Sequence, residues 1–217
     1  MNDADFKNIL ATTASICTIL QFLTGTLVCQ KIVQNKSTGD MSSFPFVSGC
    51  LSTSLWLRYG FLIQDRSLIL VNTVGATLFF AYVVTFYLYS IKKTSIIRQF
   101  LGSFLFLIVT LLYIHRIEDV DTAKSNLGLV CCIVTILFFA APLASLLHVI
   151  KVKSTDSLPY HLIIATFIVS LQWVIYGIVL GDKFIQIPNF LGCVLSAFQL
   201  SLFIIYPKNS KIYPNVI

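Results

Sequence analysis

Charge is what this sequence has least of. Of 217 residues only 11% are Asp, Glu, Lys or Arg, less than half the roughly 25% that a water-facing surface carries. An ordinary soluble domain is thereby excluded. The six cysteines (Cys17, Cys29, Cys50, Cys131, Cys132, Cys193) all lie in apolar stretches and show neither metal-ligand spacing nor a disulfide framework, so they read as small packing residues. There is no Gly-rich phosphate loop, no His/Cys/Glu cluster and no Ser–His–Asp order. No enzyme, catalytic residue, metal or cofactor is therefore expected.

What the chain has instead is apolar length. Hydrophobic residues make up 57% and the mean hydropathy is +0.87. Seven apolar runs, roughly 8–30, 44–63, 67–90, 97–114, 127–150, 159–180 and 184–206, are separated by short polar breaks. A span needs roughly 20 apolar residues, and in lipid the backbone must be hydrogen-bonded within each segment, so the runs predict transmembrane helices. Met1 to Lys7 carries two aspartates and one lysine, the wrong charge for a cleaved leader, which predicts that the first helix is retained. With the N-terminus outside, the cytoplasmic breaks hold nine basic residues (Lys31, Lys36, Lys92, Lys93, Arg98, Lys151, Lys153, Lys208, Lys211) against five on the outer side. The positive-inside rule then predicts N-out, C-in. The net charge of +6 follows from those lysines and needs no nucleic acid; membrane lipid is the partner that the apolar spans predict.

Self-comparison predicts the architecture. A shift of 117 residues, which carries 36 onto 153, aligns nine identities without a gap. Lys36-Ser37-Thr38 falls on Lys153-Ser154-Thr155, Trp56 on Trp173 and Tyr59-Gly60 on Tyr176-Gly177. Asp65 falls on Asp182, Asn72 on Asn189 and Gly75 on Gly192. Two three-span repeats in succession would be inverted, and one linker span restores a common orientation. The expected fold is all-α: seven transmembrane helices as two parallel three-helix repeats joined by a linker helix, a layout that places substrate between the halves. The divisions expected are a first bundle over 1–91, the linker and its loops over 92–124, a second bundle over 125–207 and a cytoplasmic tail over 208–217.

Asn72 and Asn189 each fall about five residues into a span, roughly 8–10 Å below its outer end. Trp56 and Trp173 lie at nearly the same depth. Two amides and two indoles predict a ring for a neutral polyhydroxyl ligand, since amides donate and accept while an indole face covers C–H surface. The bland alternative is that these residues glue helices and sit in the interfacial belt. Pro142 interrupts the fifth span and predicts a kink. Asp65 and Asp182 read first as solvated loop residues, with a gate against Tyr59, Tyr176, Arg66 or Lys183 as the alternative. Arg58 is the single charge clearly inside a span, and with no Asp, Glu or His at mid-membrane a uniporter fits better than a proton-coupled carrier.

These motifs resemble the SWEET family of sugar transporters, and the resemblance runs from about Phe6 to Tyr206. It rests on the two W-x-x-Y-G blocks, on Leu70-Val71-Asn72-Thr73-Val74-Gly75 and Ile187-Pro188-Asn189-Phe190-Leu191-Gly192, on Ala141-Pro142-Leu143 and on Leu158-Pro159-Tyr160. It implies a facilitative sugar uniporter that often forms homo-oligomers, with Asn72, Asn189, Trp56 and Trp173 as substrate contacts. Plant-type members carry four hinge prolines; Pro45, Pro142 and Pro159 match three, and Gly25 stands at the fourth. Trp56 stands where plant members often have a small residue, which implies a narrower, monosaccharide-sized pocket and a likeness to animal members. Tyr59, Tyr176 and Asp182 are the expected outer gate. The competing expectations are a PQ-loop-type carrier of another small solute such as an amino acid, a seven-helix receptor, and a trafficking protein that merely keeps the fold. No sorting signal stands out, so the plasma membrane is the first expectation for location and the Golgi the second.

Overall fold

A computed structural model describes residues 3–206, and the tail expected over 208–217 lies outside the described residues. The chain forms α1 (Asp3–Asn35), α2 (Phe44–Leu62), α3 (Arg66–Tyr89), α4 (Lys93–His115), α5 (Val120–Phe138), α6 (Ala140–Val152), α7 (Tyr160–Leu180) and α8 (Lys183–Ile205). Among the described residues six stretches are long and apolar enough to cross a membrane, with α5 and α6 counting as one. The seven expected spans thus include one, α2, that does not meet that measure. Its Ser48, Ser52, Thr53, Ser54 and Arg58 dilute its apolar character, and α3, α4 and α5 pack around it. Large apolar side chains such as Leu20, Leu105, Leu137 and Phe198 are exposed around the outside, as lipid-facing helices require.

Two boundaries differ from the sequence expectation. The first helix is longer at both ends than the run 8–30. The fifth run is broken, and its helix begins at Val120 instead of 127. The early start follows from a cap: the Asp119 carboxylate accepts from Thr122 N (2.8 Å) and from the Thr122 hydroxyl. Those hydrogen bonds hold the Asp119 carboxyl below the usual carboxylate range. The break falls at Phe139, ahead of Pro142. Proline has no N–H to offer the carbonyl four residues back, at Phe138, and its ring crowds that oxygen.

The helices close into a ring. Around it the order is α1, α3, α2, α5, α8, α7 and back to α1, with α4 outside against α2, α3 and α5. Among the described residues the backbones of α1 and α2 do not come together, although the helices are neighbours in sequence, because α3 lies between them. The halves meet at two seams inside the ring, α1 on α7 and α2 on α5.

The repeated motifs build repeated turns. Lys36 and Lys153 both take the left-handed conformation, with φ of 51° and 54°, and end α1 and α6. At the other end of the bundle Asp65 N bonds to Gly60 O at 3.0 Å and Asp182 N to Gly177 O at 2.9 Å, the closure of a Schellman turn. A Cβ on Gly60 or Gly177 would press on the backbone N of Ile69 or Gln186 at 3.1 Å. The glycine of W-x-x-Y-G therefore lets each second helix come close to the start of the third.

Candidate functional site

A cavity of about 500 Å³ occupies the centre of the ring, within the range of small-molecule sites. Asn72, Asn189, Trp56 and Trp173 all line it, together with Pro45 and Pro142. Asn72 is the seventh residue of α3 and Asn189 the seventh of α8, about 9 Å along each axis. Each amide is tied the same way. Asn72 Nδ2 donates to Leu68 O at 2.9 Å, and Asn189 Nδ2 to Ile185 O at 2.8 Å. That single bond fixes the rotamer and leaves a carbonyl oxygen and one N–H available to a ligand.

The indoles are tied across the seams. Trp56 Nε1 donates to Thr135 Oγ1 at 3.1 Å and Trp173 Nε1 to Thr18 Oγ1 at 2.9 Å. Each ring also meets a tyrosine edge-on, Trp56 on Tyr59 and Trp173 on Tyr176, with centroids 5.5 Å apart and planes at 85° in both halves. Thr18 and Thr135 are site residues that the sequence reading missed. They are identical under the same shift of 117, and carrying that shift into the first helix would have found them.

Beyond the tyrosines the N-terminal side of the cavity is shut. Tyr59 is 0% exposed and Tyr176 2%. Tyr59 Oη donates to Asp182 Oδ2 at 2.7 Å, and Tyr176 Oη to Asp65 Oδ2 at 2.6 Å. Each bond joins the halves. The other carboxylate oxygen caps a helix, with Asp65 Oδ1 accepting from Leu68 N and Asp182 Oδ1 from Phe184 N, both at 2.9 Å. The reading of the two aspartates as solvated loop residues is thus corrected: they are 9% and 5% exposed. A short turn need not be a wet one when the opposite bundle lies over it. Neither Arg66 nor Lys183 pairs with them; the cation near Asp182 is Lys124, at 3.9 Å.

The four hinge positions are not brought together equally. Pro45, second in α2, and Pro142 line the cavity. Pro159 is the N-cap of α7 and lines a separate groove between α1 and α7. Gly25 lies in the unbroken α1, where the Tyr82 ring occupies the space a side chain would need. The Tyr82 hydroxyl bonds to Thr26 Oγ1 at 2.8 Å and donates to Phe22 O at 3.1 Å.

Among the described residues no acidic, basic or histidine side chain lines the cavity. Its wall carries hydroxyls and an amide from the first half (Thr18, Gln21, Ser48, Ser52, Thr53) beside the rings of Phe22, Phe44 and Phe79, whereas the second half adds mainly apolar groups (Phe138, Ala141, Pro142, Val169, Pro188).

Residues 8–94 and 125–211 each match the family described as sugar efflux transporters for intercellular exchange. Over 204 residues the chain is 52% identical to the sugar transporter SWEET1 of Drosophila pseudoobscura pseudoobscura, covering 93% of this chain and 90% of that one. It is 34% identical to SWEET1 of Xenopus tropicalis, covering 96% and 98%. A solved structure of a eukaryotic SWEET transporter superposes with a TM-score of 0.84 at 27% identity, over 93% of this chain and 98% of that one. Repeat, ring and relatives agree: the chain is a multi-pass membrane protein of the SWEET family of sugar transporters.

Proposed function

We propose that this protein is a facilitative, proton-independent uniporter of a monosaccharide, working by alternating access with its N-terminal side outside. The carrying observation is the pair of identically tied asparagine amides facing an uncharged cavity of about 500 Å³. Neutral amides beside indole faces suit a hydroxyl-rich, uncharged ligand, and an amino acid's ammonium and carboxylate would find no countercharge there. The relatives named as sugar transporters support the same substrate class.

Proton coupling needs a titratable group along the path, and the cavity lining offers none. The tyrosine–aspartate bonds act as the outer gate, and release proceeds toward the C-terminal side while they hold. The plasma membrane is the proposed location, and the excess of basic residues on the C-terminal side supports the orientation. As a gradient-driven carrier it moves sugar in either direction.

Uptake of labelled glucose into hexose-transport-deficient cells tests this reading, with surface level measured for each variant. The wild type should saturate and ignore a proton uncoupler. Asn72→Ala and Asn189→Ala should each lower uptake at least about tenfold, the cost of one lost polar contact in a desolvated site. Uncoupler sensitivity would overturn proton independence, and undiminished uptake by both variants would overturn the site.

A further inference from the structure

We propose that Thr18 and Thr135 are positioning residues that hold the two indoles at the angle a sugar ring needs and so set affinity for it. This inference rests on the sugar-uniporter reading above.

Each threonine hydroxyl is used twice. Thr18 Oγ1 donates to Ala14 O at 2.7 Å while accepting from Trp173 Nε1 at 2.9 Å. Thr135 Oγ1 donates to Cys131 O at 2.8 Å while accepting from Trp56 Nε1 at 3.1 Å. An indole N–H can only donate, and a hydroxyl whose proton is already engaged by its own helix can only accept. The chain of bonds therefore has one polarity in each half, and the hydroxyl cannot turn away to another acceptor without leaving its helix carbonyl.

The arrangement fixes each indole at two places, by its nitrogen and by the tyrosine edge at 85°. Both indoles line the cavity. Two consequences follow. The indole nitrogens are not available to sugar hydroxyls, so the tryptophans contribute apolar face while hydrogen bonding to the sugar falls to the amides. The threonine that orients each indole also belongs to the opposite half, at the α1–α7 or the α2–α5 seam. The indole of one bundle is thus held by the other bundle while its own tyrosine neighbour belongs to the outer closure.

The halves differ in degree. The Thr18–Trp173 bond is buried, whereas the Thr135–Trp56 bond is partly exposed. An orphaned indole donor costs more where water cannot replace its partner, so the Thr18 position should dominate.

The test uses the full-length protein in liposomes and labelled glucose as probe. Thr18→Val keeps the shape and removes the acceptor; Thr18→Ser keeps the acceptor. Thr18→Val should raise the half-saturating concentration about tenfold with maximal flux close to wild type, while the melting temperature falls by only a few degrees. Thr18→Ser should restore the affinity, and Thr135→Val should raise the concentration about threefold. Unchanged half-saturation in Thr18→Val would overturn the proposal. So would a loss that tracks the melting temperature and is not rescued by serine, since that marks a merely structural bond. A wild type that carries no glucose, galactose or fructose would sink the transport reading by itself. The positioning claim is then read in a Trp56→Phe background, where Trp173 is the only tryptophan. There Thr18→Val must move its fluorescence emission and lower its anisotropy, and an unchanged spectrum would overturn the claim.

Discussion

In the first half α1 runs unbroken through Gly25, whereas in the second half the equivalent span is two helices that part at Phe139. Gly25 and Pro142 stand at the same repeat position. A residue of each third helix reaches that region: Tyr82 fills the space beside Gly25, and Gln199 Nε2 approaches Pro142 O at 3.4 Å. The same division recurs in the third helices. Where α3 has Val71, α8 has Pro188, whose missing N–H leaves the Phe184 carbonyl without its helical partner. Cys132 Sγ supplies a donor to that oxygen at 3.1 Å. Its repeat mate Ser15 has no such task and turns back on Ala11 O at 2.7 Å. The halves agree where they touch each other and where their asparagines and tryptophans face the cavity. They diverge where each must bend or repair its own backbone, and the prolines that interrupt helices lie in the second half.

The largest effects are expected where the halves are alike. Asp65→Ala and Asp182→Ala each remove a helix cap and the acceptor of a buried tyrosine. A cap contributes about 1 kcal/mol and a hydrogen bond to a charged group about 2, so each substitution should cost about 3 kcal/mol in thermal unfolding in detergent. Lys124 lies near Asp182 alone, but its side chain is 40% exposed and at 3.9 Å, an ion pair of the kind that contributes little. Equal losses sustain the symmetry of the closure. A markedly larger loss at Asp182 would show that Lys124 makes it one-sided.

The bending positions should separate the halves. A Cβ on Gly25 would collide with the Tyr82 ring, so Gly25→Ala should cost about 1–3 kcal/mol by overpacking. In a Tyr82→Ala background, itself destabilising, the added cost of Gly25→Ala should shrink toward zero, since contacting residues couple. Pro142→Ala restores an N–H for the Phe138 carbonyl, so it should preserve or raise the melting temperature while slowing maximal sugar flux. Were Pro142→Ala instead to unfold the protein with flux per folded molecule unchanged, the break at Phe139 would be architecture alone.

How much of this was legible in the sequence varied with the kind of interaction. Asn72, Asn189, Trp56 and Trp173 were readable because one shift aligns them and helical rise fixes their depth. Their convergence on one cavity follows from that symmetry. A tyrosine–aspartate gate was open as an alternative to solvated aspartates, but its pairing was hidden, because Tyr59 meets Asp182 and not the nearby Asp65, and sequence spacing says nothing about pairing between bundles. The early start of α5 was masked by polar residues such as Asp121 and Lys124 inside its first turns, although Asp119 three residues before Thr122 offered a capping signal. Pro142 was visible, but the helix parts at Phe139 because the lost bond belongs to the carbonyl four residues earlier. Gly25 invited a hinge reading, and only the packing of Tyr82 supplies a second reason for a residue without a side chain.

The smallest expected effect turns on the α2–α3 and α7–α8 turns, which have one geometry and two chemistries. Gln64 and Gly181 occupy the same repeat position, with φ of 56° and 67°. Left-handed backbone costs a residue with a Cβ about 1–2 kcal/mol and glycine almost nothing. Nothing lies within 4 Å of where a Gly181 Cβ would stand, so backbone strain is the only penalty for adding one there. Gly181→Gln should therefore lower stability by about 1 kcal/mol, and Gln64→Gly should raise it by about the same amount. Opposite shifts of similar size in melting temperature would show that the two turns are interchangeable in shape and differ only in strain. If Gln64→Gly is neutral or destabilising, the glutamine side chain stabilises the first turn in a way that the second turn does without, and the likeness of the halves ends at the backbone.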